Sequence, residues 1–162
     1  MVILGIDPGV AIVGYGILHS VRGKTEAVGY GVIRTKAHIP LEKRLTEIYD
    51  DLYLLIEKFK PDEAAVEELF FNTNSKTVIQ VGQARGVILL ALEKNGIKIS
   101  EYTPLQVKQA VVGYGRAEKA QVMEMTRRLL NLEKIPKPDD AADALALALC
   151  HAQSSSSILH GL

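Results

Sequence analysis

The chain opens with Val2-Ile-Leu-Gly-Ile-Asp-Pro-Gly9, a short apolar run that ends in one carboxylate and a Pro-Gly pair. A short apolar run closed by a turn signal predicts a buried β-strand over Val2–Asp7. Pro8-Gly9 then predicts a turn, because proline fixes φ and glycine tolerates turn conformations. Asp7 is therefore expected at the carboxyl end of the first strand.

Two more strand-like segments follow this turn. Val13–Ser20 and Glu26–Thr35 are rich in Val, Ile, Tyr and Gly, and Arg22-Gly23-Lys24 between them predicts a turn. Connections this short favour an antiparallel meander of three strands.

Helices and strands alternate through the rest of the chain. Apolar residues recur with a helical period over Pro40–Phe59, and Pro61 closes that helix. The remaining predictions are strands at Glu63–Leu69 and Ile97–Tyr102, and helices at Ser75–Lys94, Leu105–Val112, Glu118–Leu130 and Asp139–Ala152. This order indicates an α/β domain over residues 1–153, with a five-stranded mixed sheet covered by helices on both faces. The tail, 154–162, has four serines and no period, so we expect it to be frayed or disordered.

Composition is typical of one folded domain. The 162 residues are 48% hydrophobic and 23% charged. No apolar run is long enough to cross a bilayer, and the N-terminus lacks the features of a signal peptide. A single cysteine, Cys150, excludes an internal disulfide. We therefore expect a cytoplasmic protein with no membrane partner.

The formal net charge is zero, but charge is unevenly distributed along the chain. Glu42–Glu68 holds nine acids and four bases, whereas Pro104–Lys137 holds seven bases and three acids. Such asymmetry can place a basic face beside an acidic pocket. Unevenly charged, solvated helices remain an equally good interpretation of this feature alone.

Four carboxylates are candidates for a shared site. Asp7 ends the first strand, Glu67 lies near the end of the fourth, and Asp140 and Asp143 share one face of a helix N-terminus. Functional groups gather at the carboxyl ends of strands in open α/β sheets. Two carboxylates about 4 Å apart repel by roughly 4 kcal/mol at an effective dielectric constant of about 20. Four together must take up protons or bind hard cations such as Mg²⁺ or Mn²⁺.

Each carboxylate also has a structural explanation. Asp7 could cap the Pro8-Gly9 turn. Alternation along a strand sends Glu67 and Glu68 to opposite faces, so one could be solvated. One acid among Asp139, Asp140 and Asp143 could cap the helix N-terminus, but capping cannot explain all three.

Six motifs follow one another along the chain: Gly5-Ile-Asp-Pro-Gly9, Val66-Glu-Glu-Leu-Phe70, Gly82-Gln-Ala-Arg-Gly86, Gln106-Val-Lys-Gln-Ala-Val-Val-Gly113, Ala117-Glu-Lys119 and Asp140-Ala-Ala-Asp-Ala-Leu145. Together and in this order they resemble the motifs of the bacterial RuvC family of Holliday-junction resolving endonucleases. The resemblance runs from about Val2 to Ala152 and implies a ribonuclease-H-like fold. It also implies a homodimer that nicks two opposed strands of a four-way DNA junction.

The resemblance assigns roles to particular residues. Asp7, Glu67, Asp140 and Asp143 would be catalytic carboxylates that bind two Mg²⁺ per active site, with Mn²⁺ able to substitute. Their action would leave 5′-phosphate and 3′-hydroxyl ends. Asp139 falls outside the motif, which favours a helix cap or a charge near the site. The family also implies that the branch-migration proteins RuvA and RuvB are partners.

DNA-contacting residues follow from the same resemblance. Lys108 and Lys119 match basic residues near the family's active site, and Phe70 matches an aromatic that contacts bases at the junction. Weaker candidates for the same surface are Lys76, Arg85, Arg116, Arg127 and Arg128. Ordinary solvated lysines remain an alternative, as does packing of both Phe70 and Phe71 beneath a helix.

The helix around Val78–Leu92 is apolar on nearly every side, which fits either a central core helix or a dimer contact. The resemblance favours the dimer contact. Two rival functions remain, a ribonuclease acting on RNA–DNA hybrids and a non-catalytic junction-binding module. An actin-like or sugar-kinase ATPase is remote, since those folds need two such domains.

Overall fold

A computed structural model describes residues 1–69 and 75–160. The strands are β1 (Val2–Asp7), β2 (Ile12–Val21), β3 (Lys24–Arg34), β4 (Glu63–Glu67) and β5 (Lys98–Tyr102). The helices are α1 (Leu41–Phe59), α2 (Ser75–Lys94), α3 (Pro104–Val112), α4 (Lys119–Leu129) and α5 (Asp139–His160). The predicted elements are all present, in the predicted order.

One sheet holds all five strands, in the order β3-β2-β1-β4-β5. β1–β2 and β2–β3 pair antiparallel, which confirms the predicted meander. β1–β4 and β4–β5 pair parallel, which confirms the mixed sheet. The two parallel pairs bring the carboxyl ends of β1, β4 and β5 to the same edge.

Helices cover both faces of the sheet, as predicted. One core joins α1 and α2 to side chains such as Leu4 and Ile6 of β1. The other joins α3, α4 and α5 to Ile3 and Ala65. Alternation therefore directs the odd-numbered side chains of β1 and β4, including Asp7 and Glu67, toward α5.

α5 lies unusually close to the centre of the sheet because small residues face each other there. A Cβ on Gly5 would lie 2.0 Å from the carbonyl oxygen of Ala144 and 3.0 Å from the Cβ of Ala148. Any side chain at Gly5 would push the helix away. Glycine in β1 and alanine in α5 thus set the depth at which α5 packs.

α5 continues past Ala152 to His160, so most of the segment 154–162 that we expected to be frayed is helical. The expected domain boundary at residue 153 falls inside this helix. Two of the serines satisfy their hydroxyl groups locally: Ser154 Oγ donates to the Cys150 carbonyl at 2.9 Å, and Ser155 Oγ lies 3.4 Å from His151 Nε2. Such bonds to the preceding turn let serine remain in a helix.

Among the described residues, no helix combines the length and apolarity needed to span a bilayer.

Candidate active site

Asp7 and Glu67 are adjacent at the carboxyl ends of two parallel strands. The register of β1 and β4 pairs Ile6 with Val66, which makes Asp7 and Glu67 the next positions on neighbouring strands. Their side chains point to the same face and lie close enough to share a proton in a hydrogen bond. Two carboxyl groups can do this only when one of them carries a proton.

Asp140 and Asp143 approach these residues from α5. A Cβ on Gly14 of β2 would lie 2.0 Å from the carbonyl oxygen of Asp140, so glycine is needed for the first turn of α5 to rest on the strand. Gly14 itself pairs with Asp7 in the antiparallel ladder. The three-residue spacing then places Asp140 and Asp143 on one side of the helix.

Burial and mutual repulsion raise the pKa of three carboxyl groups, those of Asp7, Glu67 and Asp143. Burial is the main cause for Asp7, followed by the charges of Glu67, Asp143 and Asp140, and the pKa of Asp7 rises to about 8. Burial also raises the pKa of Glu67 and that of Asp143. The cluster therefore favours bound protons or cations over four bare charges.

Lys119 is the cation nearest the carboxylates. Its Nζ donates a 2.9 Å hydrogen bond to Asp143 Oδ2 and lies 4.0 Å from Asp139 Oδ2. Partial burial opposes its charge, but the hydrogen bond to Asp143 and the surrounding acids raise the pKa of Lys119 above its usual value. Lys119 begins α4, where Glu118 N–H donates to Gln121 Oε1 at 2.8 Å in a capping box.

Lys108 shares a cavity with the same cluster. The cavity has a volume of about 250 Å³ and lies between α3, α4 and α5. Lys108, Lys119, Glu67 and Asp143 line its polar part, and Val107 and Val122 lie among its apolar walls. The structure thus brings both predicted lysines to the carboxylates.

Asp139 contacts lysines instead of the other carboxylates. It occupies the first position of α5, with Pro138 before it, and its side chain is 50% exposed. Its oxygens lie 3.5 Å from Lys137 Nζ and 4.0 Å from Lys119 Nζ. Of the two interpretations that the sequence left for Asp139, this position matches a charge beside the site and not a helix cap.

The weaker basic candidates divide into exposed residues and residues that form ion pairs. Lys76 and Arg116 are exposed. Arg127 and Arg128 both bind Glu124, and these bonds lower the pKa of Glu124 to about 2. Arg85 is largely buried and pairs with Glu101, so its position does not support the predicted DNA contact. Phe70 and Phe71 lie outside the described residues.

A buried polar network lies behind the site, and it was not predicted from the sequence. His151 of α5 is 3% exposed and contacts Tyr102 Oη through Nδ1 at 2.7 Å and Glu63 Oε2 through Nε2. His151 is thus a core histidine with both ring nitrogens satisfied. The network joins α5 to β4 and β5. The only sequence signal was alternation, which places Glu63 on the α5 face of β4.

The donor set fits a hard divalent cation. All four candidate ligands are carboxylates, the ligand type that Mg²⁺ and Mn²⁺ prefer. Among the described residues, however, no three His, Cys, Asp or Glu side chains are grouped closely enough to hold an ion. Two effects favour this wider arrangement. The carboxylates repel one another, and Lys119 forms an ion pair with Asp143.

Comparisons with known proteins match this geometry. The family model described as "Crossover junction endodeoxyribonuclease RuvC" matches residues 3–151. Relatives of that name from Clostridioides difficile and Heliobacterium modesticaldum are 56% and 58% identical, over 96% and 95% of this chain and 92% and 95% of theirs. The structure of Thermus thermophilus RuvC in complex with a Holliday junction substrate superposes with a TM-score of 0.92 at 36% identity, covering 97% of this chain and 96% of that one. These matches confirm the ribonuclease-H-like fold, and the chain belongs to the RuvC family of crossover junction endodeoxyribonucleases.

Proposed function

We propose that this protein is a Mg²⁺-dependent endonuclease that resolves four-way DNA junctions by paired symmetric nicks, in homologous recombination and repair. The observation that carries the proposal is the convergence of four carboxylates at the ends of β1 and β4 and the start of α5. Membership of the RuvC family supports the choice of a DNA junction as substrate.

Asp7, Glu67, Asp140 and Asp143 are the residues that would hold two Mg²⁺ ions, with Mn²⁺ as a substitute. Once bound, two such ions activate a water molecule and stabilise the leaving oxygen in an in-line displacement at phosphorus. The raised pKa of Asp7, about 8, means that the site releases protons when cations bind. Hydrolysis would leave 5′-phosphate and 3′-hydroxyl ends.

Lys119 and Lys108 are suited to binding the phosphate backbone. Lys119 hydrogen-bonds Asp143, so its charge lies beside the site. Once the carboxylates are neutralised, Lys119 could donate to a phosphate oxygen and stabilise charge in the transition state. Lys108 would contact a neighbouring phosphate, and exposed Lys76 and Arg116 would extend the basic surface.

Phe70 would contact bases near the junction. It follows Glu67, the last residue of β4, by three residues in the sequence. A ring that stacks on an unpaired base stabilises the complex by about 1–3 kcal/mol. The short distance in sequence from Glu67 supports the role.

A homodimer explains how two strands are cut. α2 exposes a stripe of Ile79, Gln83, Gly86 and Leu90, in which Ile79 and Leu90 are 61% and 54% exposed. These positions recur at helical spacing, and a two-fold partner could cover them. A two-fold dimer would present two equal sites to a nearly two-fold junction. We further propose a cytoplasmic location and engagement by RuvA and RuvB.

The test is cleavage of a synthetic four-way junction with an immobile core. The junction is incubated with protein in Mg²⁺ or EDTA, beside duplex DNA and an RNA–DNA hybrid. We expect paired symmetric nicks on the junction alone, and only with Mg²⁺. Cleavage of the hybrid by a monomer would support the ribonuclease alternative, and binding without nicking would support a non-catalytic module.

A further inference from the structure

Arg85 connects α2 to the strand that carries Glu67. Its side chain is 14% exposed and points into the space between α2, β4 and β5. Nε donates a 3.1 Å hydrogen bond to the carbonyl oxygen of Glu67. Nη2 lies 2.7 Å from Glu101 Oε1 of β5. Nη2 forms no hydrogen bond with a described residue, so its contact with Glu101 is an ion pair whose atoms are poorly aligned for a hydrogen bond.

The contacted carbonyl lies where the chain leaves the sheet. Glu67 is the last residue of β4 and pairs with Tyr102 of β5. Glu68 N–H still donates to the Tyr102 carbonyl, at 2.9 Å, but Glu68 lies beyond the strand. At a strand end the ladder gives less support to the backbone than in the strand interior. Arg85 adds a bond at this position.

The guanidinium group is suited to this bridge. Its donors form a rigid planar fork, so one group can reach both the Glu67 carbonyl and the Glu101 carboxylate. Glu67 and Glu101 lie on opposite faces of their strands, with the Glu67 carboxylate toward α5 and Glu101 toward α2. Arg85 therefore contacts the backbone of Glu67 from the side opposite to its carboxylate.

We propose that Arg85 is a positioning residue that fixes the backbone of Glu67, so that the Glu67 carboxylate stays beside Asp7. Arg85 acts through Glu67 and contacts neither DNA nor the reacting atoms. The proposal rests on the catalytic role of Glu67 stated above. Since a misplacement of about 1 Å can lower a rate by about 100-fold, a carbonyl bond on the far side of the strand can affect catalysis.

The test separates catalysis from binding. Arg85→Met keeps length and apolar contact but removes every donor, whereas Arg85→Lys keeps one cationic donor without the planar fork. Glu101→Gln is the matched control, because it removes the ion pair and leaves the Arg85–Glu67 bond. Each variant is assayed for its single-turnover rate at saturating junction, for junction Kd without divalent ions, and for the salt dependence of that Kd.

We expect Arg85→Met to lower the single-turnover rate by about 10- to 100-fold and to raise the Mg²⁺ concentration needed for half-maximal rate. Its junction Kd should stay within about twofold of the parent, with an unchanged salt slope. Arg85→Lys should recover part of the rate, and Glu101→Gln should lose less than about threefold. If Arg85→Met does not fold, the Arg85→Lys rate at saturating junction decides the question.

Two results would overturn the proposal. A weaker Kd and a salt slope reduced by about one, with the saturated rate unchanged, would make Arg85 a phosphate contact. A lower melting temperature with a parental rate at saturation would leave it a purely structural ion pair. Glu67→Gln is run in parallel: if Glu67→Gln still cuts, the role of Glu67 fails, whereas an inactive Glu67→Gln beside a fully active Arg85→Met refutes only the role of Arg85.

Discussion

At the scale of single residues, neighbouring acids in one helical turn have different surroundings. Asp143 lies beside Asp7 and Glu67, and burial raises its pKa, whereas half-exposed Asp139 contacts only the lysines at the edge of the site. Both bind Lys119, so charge alone does not distinguish them. Their positions on α5 distinguish them, because Asp143 faces the ends of β1 and β4 and Asp139 does not.

Asp143→Asn and Asp139→Asn form a matched pair that tests this difference. We expect Asp143→Asn to lower junction cleavage by at least about 100-fold, because it removes one of four proposed metal ligands. Asp139→Asn should stay within about threefold of the parent. Nicking rates at fixed Mg²⁺ measure both. A parental rate for Asp143→Asn would remove it from the catalytic set.

The raised pKa of Asp7 predicts a pH-dependent stability. Because folding raises this pKa from 3.8 to about 8, Asp7 takes up a proton on folding, and the associated stability is lost as pH rises from about 4 through 8. Asp7→Asn removes the titrating carboxyl group and with it this pH-dependent loss of stability. In EDTA we expect the unfolding free energy of the variant to exceed that of the parent by about 1–3 kcal/mol at pH 8.5 and to match it near pH 4.

Denaturant unfolding at both pH values, with and without Mg²⁺, measures this effect. Added Mg²⁺ should stabilise the parent more than the variant, because a cation that binds only the folded state stabilises it. An advantage of Asp7→Asn that is the same at both pH values would contradict the assignment of the raised pKa to Asp7.

At the scale of elements, α5 determines the geometry of the site. It carries Asp140 and Asp143 and crosses β1 and β2 over glycines that leave room for its backbone. His151 anchors the same helix to Glu63 and Tyr102. Because one helix holds two of the four carboxylates, any shift of α5 moves both relative to Asp7.

Gly5→Ala tests this dependence. The added methyl would lie 2.0 Å from the Ala144 carbonyl oxygen, which belongs to the backbone, so α5 must move. We expect a loss of about 1–3 kcal/mol in unfolding free energy and a lower cleavage rate in the protein that remains folded. Gly82→Ala is the control: its methyl would lie 3.5 Å from Leu69 Cδ2, an ordinary contact, and alanine favours a helix. A Gly5→Ala protein as stable as the parent would mean that the close contact is not required.

At the scale of the whole molecule, the two faces of the sheet have separate roles. The α5 face holds the carboxylates, Lys108 and Lys119. The opposite face holds α1 and α2, with the exposed stripe of α2 that we propose as the dimer contact. Arg85 lies between these regions, on α2 and bonded to the strand of Glu67. The proposed substrate surface and the proposed dimer contact therefore lie on different faces of the sheet, joined by one strand end.

Leu90→Glu tests the dimer contact. Across a two-fold interface the substitution would bring like charges together, and we expect it to convert the protein to a monomer in sedimentation experiments. The monomer should accumulate singly nicked junctions, because paired cuts need two sites on one complex. Leu129→Glu on α4 is the control, since Leu129 is also exposed, at 42%, but lies on the other face of the sheet. A dimeric Leu90→Glu protein would exclude this stripe as the contact.

The sequence by itself determined the order of elements and singled out four candidate carboxylates. Local signals suffice there: Pro8-Gly9 ends β1 directly after Asp7, and alternation sends Glu67 and exposed Glu68 to opposite faces. Family motifs selected Asp140 and Asp143 over Asp139. The predicted C-terminal end of α5, at Ala152, was wrong. Four serines indicated a frayed end, but at least two of them satisfy their hydroxyl groups within the helix.

Only the tertiary structure decided which side chains meet. Arg85 was expected on a DNA-binding surface, but α2 packs against β4 and β5 and places it against the Glu67 carbonyl and Glu101. Likewise, His151 finds its partners 88 and 49 residues away in the sequence. Local propensity sets which residues begin and end an element. Partners across elements depend on the depth and register of packing, and here glycine and alanine contacts between α5 and the sheet set that depth.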